Sequence, residues 1–218
     1  MDAPHLIYFA DPMCSWCWGF APTAEAVAER LPIRLVLGGL RPGTTTPMTR
    51  EARAEMPKHW EHVREASGQP FDGEALVERD GFVYDTDPAA RAVVAARRQD
   101  PAMAMAYLRA AQSAFYAEGQ DVTQAPVLEE IAGRLGLDRA RFAEDLASED
   151  VKTETWGDYT TSQNAGVRGF PTLIVGRNPD GTYAMVTRGF QARAAAHHRF
   201  QARAAARWAA GRRVMVCR

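Results

Sequence analysis

Cysteine is scarce in this chain. Three occur in 218 residues, Cys14, Cys17 and Cys217. That excludes a secreted scaffold stapled by a disulfide framework, which needs more bridges per residue. Net charge is nearly absent: 26 basic side chains against 27 acidic ones leave −1. Such a balance argues against nucleic acid or an anionic membrane surface as the main partner. No apolar run reaches the length of about 18 residues that a span requires, so no membrane segment is expected. Met1-Asp2-Ala3-Pro4-His5 lacks the basic start of a secretory signal, and the apolar stretch after it is short. The expectation is a cytoplasmic protein, where disulfides are usually transient or catalytic. Metal ligands are sparse too. No second Cys pair or close Cys/His cluster accompanies Cys14 and Cys17, and His197-His198 is an adjacent pair with poor ligand spacing. Zinc needs four ligands, so no metal site is expected.

What remains is a pair of cysteines in an informative place. Leu6-Ile7-Tyr8-Phe9-Ala10 has the length and composition of a strand. Asp11-Pro12-Met13 breaks it, and Cys14-Ser15-Trp16-Cys17 falls in the first turn of an amphipathic helix. A separation of three puts both sulfurs on one helix face. The Cα atoms should then lie about 5–6 Å apart, within reach of a disulfide. The helix N-terminus favours a thiolate on Cys14. Cys14 can then attack a disulfide, and Cys17 can resolve the mixed disulfide. Two unreactive structural thiols are the alternative. Trp16 and Trp18 beside them read as a groove wall, which favours the redox reading.

A second feature is Gly169-Phe170-Pro171-Thr172, just before the apolar run Leu173-Ile174-Val175-Gly176. Proline cannot donate to a sheet ladder, so its place before a strand needs a reason. A trans proline opening the strand is one reason, and a cis bond in a tight turn is another.

Between these two features the chain reads in sequence order. A strand over 5–10, a helix over 14–30 and a strand over 32–37 form a βαβ unit. Residues 41–50 read as a loop and 50–66 as a polar helix carrying His59 and His62, both expected in solvent. Residues 67–87 are punctuated by Gly, Pro and Asp. Asp87-Pro88 supplies a cap and a first-turn proline for a helix to about Gln99. A helix follows Asp100-Pro101, with Met105, Leu108 and Phe115 on one face. Two short helices run from Thr123 to Leu135 and from Asp138 to Leu146, and another covers 150–165. Leu173–Gly176 and Tyr183–Thr187 pair as a hairpin across Asn178-Pro179-Asp180-Gly181, and a last helix follows Gly189.

The end of the chain changes character. From Arg188 onward there are eight arginines and no Asp or Glu. The segment Phe190-Gln191-Ala192-Arg193-Ala194-Ala195-Ala196 recurs ten residues later, from Phe200 to Ala206. The tail reads as a helix packing by its alanine and aromatic face. A basic surface for an acidic partner is the alternative.

On Asp11-Pro12-Met13-Cys14-Ser15-Trp16-Cys17-Trp18-Gly19-Phe20 and Gly166-Val167-Arg168-Gly169-Phe170-Pro171-Thr172-Leu173, the chain resembles the DsbA branch of the thioredoxin superfamily, and within it the FrnE-type oxidoreductases. The resemblance implies an α/β, thioredoxin-like fold with a helical domain inserted between its βαβ and ββα halves. Residues 1–42 and 150–218 would form the frame, and 43–149 the insertion. It implies Cys14 as nucleophile, Cys17 as resolving thiol and Pro171 as a cis proline facing them. Pro22 matches the helix-kinking proline of such proteins. Substrates would be protein or small-molecule thiols and disulfides, recycled by glutathione or a thioredoxin system, with no tightly bound cofactor and glutathione as reductant or co-substrate.

Around the pair, Ser15, Trp16, Trp18 and Phe170 are the candidate substrate-binding residues. Ser15 is placed to donate a weak hydrogen bond to the Cys14 sulfur. Cys14 is expected exposed and Cys17 buried. No histidine stands between the cysteines to add a cation, so a mid-range reduction potential is expected. The backbone of Phe170 would pair with an extended substrate segment. Phe20 belongs in the core by helical spacing. Asp11 is a turn former with a possible second role in proton transfer. Cys217 is expected to be a terminal thiol without a role. Two other classes compete. Kappa-class glutathione transferases and 2-hydroxychromene-2-carboxylate isomerases share the frame, but typically carry serine at the first cysteine. A chaperone-like binding module is the other.

Overall fold

The computed structural model describes residues 5–176 and 182–191. The hairpin turn expected at 178–181, the last helix, the repeated basic segment and Cys217 lie outside the described residues.

The apolar run at the N-terminus forms β1 (His5–Ala10), and α1 (Ser15–Ala28) returns the chain to β2 (Ile33–Leu37). The β1–β2 pair is parallel, with Phe9 opposite Val36. The sheet is completed by β3 (Thr172–Gly176) and β4 (Ala184–Arg188), in the order β2-β1-β3-β4. The β1–β3 and β3–β4 pairs are antiparallel. β1 is therefore central, and its residues from Tyr8 to Ala10 are all buried. That matches a strand covered on both faces, which loses the alternation of a one-sided strand.

Between β2 and β3 the chain is helical: α2 (Arg50–Ser67), α3 (Glu74–Glu78), α4 (Asp87–Gln99), α5 (Met103–Tyr116), α6 (Ala125–Arg134), α7 (Arg139–Ala147) and α8 (Glu149–Asn164). Local chemistry sets several starts. Thr49, Asp138 and Ser148 each accept a hydrogen bond from an N–H in the first turn of α2, α7 and α8, the usual N-cap role. α4 departs from the expected cap. Its N-cap is Thr86, and Asp87 is the first helical residue. The Asp87 carboxylate instead pairs with Arg91 at 3.0 Å and accepts from the Tyr159 hydroxyl at 3.1 Å. The one-turn helix α3 falls in a stretch that reads as irregular, because five residues are too few for a periodic signal.

The apolar core is continuous from the sheet into the helices. α1 packs on α2 and α5, α4 on α5, α7 and α8, and α8 on β2. An aromatic cluster of Trp60, Phe71, Phe82, Tyr84, Phe115 and Tyr116 fills the space behind α1. Asp158 on α8 ties the layers: its carboxylate accepts from Leu37 N–H at 3.1 Å and from Arg97 at 2.9 Å.

The sheet register brings two distant parts of the chain together. In the antiparallel β1–β3 pair, Phe9 stands opposite Thr172. The start of β3 thus lies beside the end of β1, where the chain turns into α1. Cys14 and Phe170, 156 residues apart in sequence, are brought together there.

Candidate active site

The turn into α1 is built on Asp11. Its carboxylate accepts from Met13 N–H at 2.9 Å, and its backbone carbonyl accepts from Cys14 N–H at 3.2 Å. The second carboxylate oxygen accepts from Leu40 N–H at 2.8 Å. Cys14 becomes the N-cap of α1, and its carbonyl accepts the first helical bond, from Trp18 N–H, at 3.0 Å. The N–H groups of Ser15, Trp16 and Cys17 have no partner within the helix, as in any first turn. They and the helix dipole favour an anion beside Cys14.

Cys14 and Cys17 are both free thiols. Cys17 is fully buried, as expected. Burial, then the hydrogen bond and charge of neighbouring Cys14, push its thiol up. Cys14 differs from the expectation of an exposed thiol. It is only 7% exposed, because the Pro171 loop closes over it. The Phe170–Pro171 bond is cis, and the Phe170 carbonyl lies 3.8 Å from the Cys14 sulfur. The tip of the half-buried Phe170 ring presses on Gly38: a Cβ there would fall 2.2 Å from the ring. Glycine at the end of β2 is what lets the loop approach.

Trp16 is half-buried at the mouth of the site. Its ring lies 5.2 Å from Phe190 and edge-on to His59 and His62, at 6.1 and 5.6 Å. Trp18 is a correction. It is 2% exposed, so it lines no groove. Its indole N–H donates to the Pro70 carbonyl at 2.9 Å, its ring stacks on Tyr116, and the Arg109 guanidinium sits 4.1 Å from its centre. Position 18 lies on the inner face of α1, next to the fully buried Phe20.

Ser15 also departs from expectation. Its hydroxyl lies 3.0 Å from His59 Nε2, so its partner is a side chain of α2. His59 and His62 are exposed, as expected, but they stand at the site and not away from it. Their spacing of three on one face held the signal. With Trp60 and Val63 buried as the anchor of α2, that face lies at the edge of the packed seam. Burial and the charge of His62 lower the His59 imidazole from its ordinary value.

Behind the thiols the surroundings are polar but buried. The Tyr84 hydroxyl donates to the Met13 carbonyl at 2.6 Å and lies 3.4 Å from the Tyr116 hydroxyl. Burial pushes both phenols up. The Tyr8 hydroxyl is buried beside the Cys17 thiol. Burial, then the charges of Cys17 and Cys14, push it up as well. Asp11 is fully buried, and desolvation raises its carboxyl to about 6, against the pull of its backbone hydrogen bonds. Asp11 is thus both the turn former and a proton-binding group next to the pair. Among the described residues no cluster of His, Cys, Asp and Glu could hold a metal ion, and no helix is long and apolar enough to cross a membrane.

Comparison with known proteins bears on what this arrangement does. The sequence model of the DSBA-like thioredoxin domain matches residues 5–191. A candidate protein disulfide isomerase from Nitrosomonas europaea is 35% identical, with 92% of this chain and 97% of that one covered and a TM-score of 0.84. The cytosolic disulfide reductase DsbM from Pseudomonas aeruginosa is 31% identical, with 83% and 88% covered and a TM-score of 0.71, and has also been solved with GSH. Among curated proteins, the ClpXP adapter protein SpxH of Halalkalibacterium halodurans is 26% identical over 174 residues. That match covers 76% of this chain and 56% of the relative, so the chain spans little more than half the length of the curated relatives it matches.

Proposed function

The chain belongs to the DSBA-like thioredoxin domain family, and from that premise we propose that Cys14 and Cys17 are the reacting pair of a cytoplasmic, FrnE-type thiol–disulfide oxidoreductase. Cys14 gives up its proton and its sulfur attacks one sulfur of a substrate disulfide. A mixed disulfide forms, and the second substrate sulfur leaves as a thiolate that takes up a proton. Cys17 then loses its proton and attacks the Cys14 sulfur. The first substrate sulfur leaves and is protonated. Two electrons and two protons pass to the substrate, and the enzyme is left as the Cys14–Cys17 disulfide. Two molecules of glutathione return it to the dithiol and leave as glutathione disulfide, the role we assign to a thiol co-substrate.

The observation that carries this reading is the placement of Cys14. It is at the N-terminus of α1, with the Phe170 carbonyl 3.8 Å from its sulfur. That carbonyl and the half-buried rings of Trp16, Phe170 and Phe190 suit an extended apolar segment, which the backbone of Phe170 would hold as an added strand. The family resemblance to glutathione-dependent isomerases is disfavoured by the presence of both thiols. A second reading is a binding module, favoured by the curated relatives that are named as protease adapters.

Equilibration in glutathione buffers tests the proposal. A two-electron couple is expected, lost in Cys14→Ser, with Cys17→Ser accumulating a glutathione mixed disulfide at Cys14. The absence of a reversible couple, with partner binding intact in Cys14→Ser, would favour the binding module and end the oxidoreductase reading.

A further inference from the structure

His59 reaches the site from outside both the turn into α1 and the Pro171 loop. It comes from α2, 44 residues from Ser15, yet it meets the one polar side chain between the two cysteines. Ser15 is only 7% exposed, so bulk water competes little for its hydroxyl. The contact is short, at 3.0 Å, and Trp16 packs edge-on against both His59 and His62.

Resting on the reading of Cys14 as the attacking thiol, we propose that His59 is a positioning residue for the pair: its hydrogen bond to Ser15 sets which way the hydroxyl beside Cys14 turns, and protonation of the imidazole reverses it. A serine hydroxyl has a single proton. When neutral His59 accepts at Nε2, that proton points to the ring, and the oxygen lone pairs are left for Cys14. When the imidazole is protonated, Nε2–H donates and the serine proton is released toward the Cys14 sulfur. A proton aimed at the sulfur, with a positive charge behind it, favours the thiolate. Acidification ordinarily removes thiolate, and this device opposes the loss.

The groups that face His59 allow it to titrate. His62 on the same helix acts against its charge. The nearest carboxylates of α2, Glu55 and Glu61, are tied to Lys58 and Arg64. α1 presents Ser15, Trp16 and the two thiols, and its Glu25 is held by Arg109. Arg188, two residues before Phe190, is the charge at the end of β4. No carboxylate pairs with His59 among the described residues, and burial and the charge of His62 lower the imidazole, so the ring gains its proton on the acid side of its ordinary value.

The test is the rate of iodoacetamide alkylation of Cys14 from about pH 4.5 to 8, read peptide by peptide by mass spectrometry so that Cys17 and Cys217 are counted separately. The native protein is compared with His59→Gln, which keeps a hydrogen-bonding group and does not titrate, and with His59→Ala. Through the range where the imidazole gains its proton, the native rate should fall more slowly than in either variant. At the acid end His59→Gln should react about two- to tenfold more slowly than the native protein, and near pH 8 the two should agree. Superimposable profiles for the native protein and His59→Gln would overturn the proposal. Alkylation needs no turnover, so the profile decides the role of His59 whether or not the glutathione couple exists. A sound couple with superimposable profiles removes His59 alone.

Discussion

Asp11→Asn is the perturbation that most directly tests the buried side of the site. Asp11 is fully buried, and its carboxyl is raised from 3.8 to about 6 by desolvation. In the unfolded chain it should titrate near ~3.9. Between these values the folded protein holds the proton and the unfolded chain does not. Stability from this group is therefore present below about pH 4 and is lost as pH rises through about 6. A gap of about two pH units corresponds to ~3 kcal/mol. Asparagine does not titrate, so it escapes that loss. It keeps one carbonyl acceptor but turns an amide donor toward either Met13 N–H or Leu40 N–H, both of which Asp11 now satisfies. Losing one of those bonds in a buried place should lower stability by ~1–3 kcal/mol at every pH. The variant is thus expected to be clearly weaker than the native protein near pH 4.5. From pH 4.5 toward pH 7 the gap should close, moving by ~2 kcal/mol in the variant's favour. Urea unfolding of both proteins at several pH values, with linear extrapolation, measures it. Taking the difference cancels the other titrations. Two stability curves that run parallel would refute the reasoning, and a gap that widens with pH would mean that Asp11 is held as an anion.

Two other substitutions separate the reactive surface from its support. Gly38→Ala places a methyl group 2.2 Å from the Phe170 ring, so the ring and the carbonyl facing Cys14 must move. Disulfide reduction should fall about tenfold or more, with a stability loss of ~1–3 kcal/mol; kcat/KM within about twofold of the native value would show that the loop position does not matter. Trp18→Phe removes the hydrogen bond to Pro70 and weakens the stacking with Arg109. It should lower stability by ~1–3 kcal/mol while leaving Cys14 alkylation within about twofold; slower alkylation at unchanged stability would return Trp18 to the substrate surface.

The contrast between Trp16 and Trp18 shows what was legible in the sequence and what was not. Strand, turn and helix around Cys14 were readable because each has a local cause: an apolar run, an Asp-Pro turn, a helix start. The same holds for β3, where the proline before an apolar run marked the loop that meets the thiols. Side-chain direction at the first turn of a helix has no such local signature. Trp16 and Trp18 are both large, both next to a cysteine, and two positions apart on a helix, which places them on different faces. Only the packing of α1 against the Tyr84–Tyr116 side of the helical insertion decides that Trp18 turns inward.

His59 was hidden for a related reason. A polar helix with two histidines reads as a solvated face, and their exposure agrees with that reading. What the sequence lacks is the angle at which α2 crosses α1, set by the burial of Trp60 and Val63. That crossing brings an imidazole to a dipeptide that contains none. The consequence for chemistry is that the environment of the pair has two sources. The buried side, with Tyr8, Asp11 and Tyr84, is fixed by elements close to the pair in the frame and by the aromatic core. The open side is supplied by a helix of the insertion and by the segment after β4, through His59 and Phe190. On the proposed role of His59, changes in the insertion that leave every residue from Asp11 to Phe20 untouched are expected to alter how Cys14 reacts, and alkylation of Cys14 in α2 variants checks it.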